Sequence, residues 1–155
     1  MNMNVKSLVA LFNALHEHHV EYILVGGVAV ILHDVPRVTE GVDVNVKRNP
    51  ANVERLKEAL LSVFDDESIQ DLDGQDLEHY PVVRYGTPEQ YYIDIMDRVG
   101  EMFQYDDLES EIITSHGIPI RVATIATLIK LKQGTVREID KADVILLKAK
   151  LAGKT

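Results

Sequence analysis

Apolar residues along this chain repeat in two rhythms. Between Ser7 and His19 they fall three and four apart, at Leu8, Leu11, Phe12 and Leu15, which predicts a helix with one buried face. Tyr22–Val25 is an unbroken apolar run the length of one buried strand. Gly26 and Gly27 interrupt it, and Val28–His33 suits a second helix. Asp34-Val35-Pro36 stops that helix, because the residue before a proline avoids the helical region. The rhythm then changes to alternation over Val42–Val46: Val42, Val44 and Val46 share one face of a strand, and Gly41, Asp43 and Asn45 share the other. Asn49 as cap and Pro50 at the first position predict a third helix over Ala51–Phe64, with Val53, Leu56, Leu60, Leu61 and Phe64 as its buried stripe.

The second half reads in the same way. Asp65–Glu78 is an acidic connection without the ligand spacing of a calcium loop, expected to be a solvated loop or a short edge element. Pro81–Tyr85 and Gln90–Met96 predict a hairpin that turns near Gly86-Thr87-Pro88. Asp97–Asp107 reads as helical or irregular, anchored by Met102 and Phe103. Glu111–Thr114 and Ile118–Val122 predict a further hairpin around His116-Gly117. Thr124 caps a helix over Ile125–Gln133 that Gly134 ends, and Thr135–Lys150 carries the last helix. Neither a repeat nor a linker interrupts the pattern, so the expectation is one α/β (α+β) domain, a small mixed sheet flanked by helices.

Composition narrows the function classes. The chain has 155 residues and 46% hydrophobic content, enough for a core and against disorder. No apolar run approaches the roughly 20 residues of a membrane span. Without cysteine there are neither disulfides nor thiolate metal sites. That fits a cytoplasmic location, which is the expectation. A net charge of −9 disfavours broad binding to a nucleic-acid backbone, although the lysines and arginines gather in the last quarter. His16, His18 and His19 end the first helix, where solvated imidazoles complement the helix dipole.

Three features carry possible chemistry. A Gly-Gly turn into a helix lets backbone N–H groups approach a phosphate; the same turn also serves simply to pack a helix on a sheet. Asp43 sits on the polar face of the next strand, where an acid can hold a cation. Asp94, inside the β-prone run YYIDIM, is either a solvated edge residue or a buried carboxylate that needs a partner.

The stretch Leu24–Val46 resembles the nucleotidyltransferase superfamily that includes DNA polymerase β, and within it the minimal nucleotidyltransferases. The resemblance lies in Gly26-Gly27, a thirteen-residue spacer, and Pro36, Arg37, Thr39 and Asp43. The segment LIKLKQGTVREIDKADVILL is similar to one in minimal nucleotidyltransferases related to abortive-infection toxins, matching at Lys132, Arg137, Asp140 and Asp143. Where the superfamily has Asp-apolar-Asp, this chain reads Gly41-Val42-Asp43. The resemblance implies transfer of a nucleoside monophosphate from a nucleoside triphosphate to a hydroxyl of RNA, protein or a small molecule. It implies that Asp43 and Asp94 are catalytic and bind Mg²⁺ (or Mn²⁺), with Gly26, Gly27, Arg37, Thr39, Lys132 and Arg137 holding nucleotide and phosphates. A toxin–antitoxin role, with a partner protein or a homo-oligomer, is a further implication. Glycine offers a metal no oxygen, so a second expectation stands beside the enzyme: an inactive module of the same fold that binds nucleotide or a partner. A structural α/β domain with incidental glycines and acids is the third.

Overall fold

The computed structural model describes residues 4–100 and 103–153. Helix α1 (Val5–Glu17) leads into strand β1 (Tyr22–Val25), helix α2 (Gly26–Leu32) and strand β2 (Gly41–Val46). Helix α3 (Pro50–Phe64) and the short helix α4 (Gly74–His79) precede strands β3 (Val83–Gly86) and β4 (Tyr92–Met96). A small ribbon of β5 (Arg98–Val99) and β6 (Phe103–Gln104) follows, then hairpin β7 (Ser110–Ser115) and β8 (Ile118–Ala123), and helices α5 (Ile125–Lys132) and α6 (Glu138–Leu151). The main sheet has six strands in the order β3-β4-β2-β1-β8-β7. It is mixed: β1 runs antiparallel to β2, while β2 with β4 and β1 with β8 are parallel.

Both faces of the central strands are covered, β1 being buried throughout, and alternation along β2 separates a wholly apolar face from the one that carries Asp43 and Asn45. Val42, Val44 and Val46 are fully buried, together with Tyr22 and Leu24 opposite them. Phe12 of α1 stacks on Tyr22 at 6.5 Å, and Phe64 of α3 meets Tyr85 and Tyr91 edge-on, so α1 and α3 cover this face. Each Leu or Ile sunk here, such as Leu56, Leu60 and Ile93, stabilises the fold by roughly 1.5–3 kcal/mol relative to exposure. Asn52 locks α3 to the sheet: its amide accepts from Glu21 N–H at 2.7 Å and donates to the carbonyls of Glu21 and Lys47 at 3.0 and 2.7 Å. Asn49 caps α3 through Asn52 N–H, with Pro50 at the first position, as the pattern predicts.

Several boundaries differ from the sequence expectation. Helix α2 starts at Gly26, two residues early, with Gly26 at φ +73°, a conformation that side chains with a Cβ avoid. The acidic connection is structured: Asp66 caps a 3₁₀ turn (Glu67–Asp71), Asp73 caps α4, and Ile69 and Leu77 are buried beneath them. Asp97–Asp107 holds the β5–β6 ribbon and a 3₁₀ turn (Tyr105–Asp107) rather than a helix. Its anchor Phe103 packs against the core; Met102 lies outside the described residues. Helix α6 begins at Glu138, because Arg137 is extended and the Thr135 hydroxyl donates to Asp140 at 2.9 Å. Among the described residues no helix is long and apolar enough to cross a membrane.

Candidate active site

The polar face of the sheet gathers its chemistry into one row. Register places Asp43 of β2 beside Asp94 of β4, and Asp94 opposite Arg84 of β3. On the other side Asp43 faces Val25, so the chain turns through Gly26 directly above it. A Cβ at Gly26 would collide with the Asp43 carboxylate, and one at Gly27 would collide with the Arg37 guanidinium and Thr39. The two glycines therefore bring the start of α2 down onto Asp43 and Arg37. The row floors a cleft of about 480 Å³ lined also by Glu40, Lys132 and Arg137. A larger hollow of about 680 Å³ opens beside Lys57 and Asp73, but its acids, Glu54, Asp71, Asp73 and Glu78, are all exposed, and the paired, largely covered carboxylates point to the smaller one.

Asp94 lies on an inner strand, between β3 and β2, not at an edge. It has the partner that a buried carboxylate needs. Arg84 donates to its two oxygens at 2.8 and 3.1 Å and rests on the Tyr92 ring, 4.5 Å from the centroid. Burial pushes the Asp43 carboxyl up to about 6, the negative charge of Asp94 adds to the rise, and the charges of Lys132 and Arg37 pull the other way. Two carboxylates in like-charge contact form a donor set that suits one hard divalent cation. Among the described residues no group of three or more acids and histidines is placed to hold a metal. Gly41 supplies no oxygen, and the reason is local: a Cβ there would lie 2.6 Å from the Tyr92 backbone oxygen on β4.

The basic residues fall into two groups. Lys132, at the end of α5, is nearly buried, with its ammonium 3.4 Å from Asp140 and 3.1 Å from Asp143. Arg37 Nε lies 3.3 Å from Asp143, so Asp143 joins the α5–α6 pair to the loop before β2. Both cations reach the cleft wall already partnered. Arg137 is mostly exposed, 4.0 Å from Asp140. Thr39 turns inward and donates to the Gly41 carbonyl at 3.0 Å, holding the entry to β2. Asn45, next along the Asp43 face, is fully buried, and its amide has no partner among the described residues. Sequence reasoning missed Arg84. The available signal was its place one residue before Tyr85 in the first strand of a hairpin whose second strand carries Asp94.

No family model matches the chain, and no curated protein does. Solved structures do. Lincosamide antibiotic adenylyltransferase LnuA, in a lincomycin-bound crystal structure, is 14% identical with a TM-score of 0.64, over 97% of this chain and 99% of that one. The antibiotic-resistance factor ANT(2'')-Ia is 12% identical with a TM-score of 0.56, over 97% and 85%. A nucleotidyltransferase, TM1012 from Thermotoga maritima, is 16% identical with a TM-score of 0.52, over 97% and 93%. With a six-stranded mixed sheet flanked by helices, this chain has the nucleotidyltransferase fold.

Proposed function

We propose that the protein transfers a nucleoside monophosphate from a nucleoside triphosphate to a hydroxyl. The observation that carries this is the row Gly26–Asp43–Asp94, two facing carboxylates under a Gly-Gly turn in a cleft that Arg37, Lys132 and Arg137 also line. A divalent cation, Mg²⁺ or Mn²⁺, would be held by Asp43 and Asp94 and would neutralise charge on the transferred phosphoryl group. Arg137, the most exposed basic residue of the cleft lining, reaches the outer phosphates; Lys132 and Arg37, largely neutralised by Asp140 and Asp143, shape the wall behind it. The acceptor oxygen bonds to the α-phosphorus, the bond to the β-phosphate breaks, pyrophosphate leaves, and the hydroxyl proton passes to Asp94.

The mouth supports a small-molecule acceptor over RNA. Val38 is 83% exposed and Ile139 39% exposed on the cleft lining, an apolar rim on a chain of net charge −9. Two of the structurally similar proteins modify or resist antibiotics, which agrees with an acceptor of that size. The test is pyrophosphate release from each of four nucleoside triphosphates with Mg²⁺ or Mn²⁺, against a panel of small hydroxyl acceptors and transfer RNA. Release that depends on a small acceptor and vanishes in Asp43→Asn supports the reading; release that persists in Asp43→Asn overturns it. A second reading, a binding module that has lost turnover, rests on Gly41 and on Arg84 occupying both oxygens of Asp94. Tight triphosphate binding without release under any condition would favour it.

A further inference from the structure

We propose that Arg84 is a fixed cation of this cleft, so that the site takes one divalent ion together with the guanidinium rather than two divalent ions. The proposal rests on the nucleotidyl-transfer reading and adds the electrostatics of its metal site. Arg84 is placed by the sheet and not by chance: it lies opposite Asp94 in the β3–β4 register. It donates to both carboxylate oxygens and is braced on the Tyr92 ring. A guanidinium stays charged at every working pH, and its planar fork matches phosphate as well as carboxylate.

The charge balance favours one ion. Two divalent ions need oxygen ligands around both, and the row offers only Asp43 and Asp94. Of the other acids on the lining, Glu40 is exposed on the loop before β2, and Asp140 already accepts from Thr135 and pairs with Lys132. Position 41 has no room for a side chain while Tyr92 O stands 2.6 Å from the place of its Cβ. Along the row itself, two divalent ions beside Arg84 would set five positive charges against the carboxylates of Asp43 and Asp94. One ion with Arg84 sets three against two, leaving a single positive charge toward a polyphosphate. Arg84 is 60% exposed while Asp94 is 17% exposed, and both line the cleft, so the guanidinium keeps solvent-accessible N–H groups beyond those given to Asp94.

The experiment is Mn²⁺ titration of the full chain, read by electron paramagnetic resonance, for wild type, Arg84→Gln and Arg84→Lys. Far-UV circular dichroism and the unfolding midpoint confirm that each variant is folded. Wild type is expected to bind one Mn²⁺ per chain. Arg84→Gln is expected to tighten Mn²⁺ by about tenfold, because a unit charge close to the ion is gone, or to admit a second ion. Arg84→Lys, which keeps the charge, stays within about threefold of wild type. Two Mn²⁺ ions of similar affinity in wild type overturn the proposal, as does unchanged or weaker binding in folded Arg84→Gln. If only the Arg84 effect fails while wild type still binds Mn²⁺, the transferase reading survives alone. If none of the three proteins binds Mn²⁺, this proposal and the metal site of that reading fall together.

Discussion

Asp43 costs the fold stability, and the cost can be measured. Its carboxyl is raised from the ordinary aspartate value of 3.8 to about 6, first by burial and then by Asp94. The unfolded chain gives up this proton near pH 4, and the folded chain holds it until about pH 6. Stability associated with the protonated form is therefore fully present below pH 4 and is lost as the pH rises toward 6. A difference of about two pH units corresponds to about 3 kcal/mol at neutral pH, a fifth or more of a typical domain's total of about 5–15 kcal/mol. Asp43→Asn is nearly isosteric, removes the buried charge, and gives Asp94 an amide donor. Urea unfolding followed by circular dichroism, from pH 4 to pH 8 without divalent ions, should show the variant more stable than wild type by about 2–3 kcal/mol at pH 8. The gap should close toward zero at pH 4, while nucleotidyl transfer is lost. A variant less stable than wild type at pH 8, or a gap independent of pH, would refute the reasoning that Asp43 is a strained functional carboxylate.

Three further outcomes follow from the same geometry. Divalent-cation binding should weaken as pH falls through about 6, with one proton taken up per ion released, because Asp43 must ionise to ligate; calorimetry in buffers of different ionisation enthalpy counts that proton. Gly41→Asp should not restore a metal ligand but should lower stability by about 1–3 kcal/mol, since its Cβ meets the Tyr92 carbonyl; a stable variant with faster transfer would contradict this. Arg37→Ala should cost roughly 2–4 kcal/mol, because it removes one of two cations from nearly buried Asp143, and Asp143→Asn in the same chain should recover part of the loss.

The fold was legible because its signals are local. The alternation of Val42, Val44 and Val46, the helical spacing in α1 and α3, and the Asn49-Pro50 start are written within a few residues each. The Gly-Gly turn, Asp43 and Asp94 were legible as candidates for the same reason. What stayed hidden depends on register between distant segments. Nothing near Arg37 announces that it shares Asp143 with Lys132 about a hundred residues away, and the pairing of Arg84 with Asp94, though signalled by their hairpin, rests on its exact register. Gly41 read as a missing ligand. The backbone approach of β4 explains why a side chain is not accommodated there. The acidic segment Asp65–Glu78 looked solvated because two buried residues, Ile69 and Leu77, are too few to make a periodic pattern.

The central proposal is a triphosphate site built around Asp43. Calorimetric titration of wild type and Asp43→Asn with each of four nucleoside triphosphates, with and without Mg²⁺, addresses it most directly. Wild type should bind one triphosphate per chain more tightly with Mg²⁺ than without, and Asp43→Asn should lose that Mg²⁺-dependent gain. No binding of any triphosphate by wild type, or an equal Mg²⁺-dependent gain in Asp43→Asn, would contradict it.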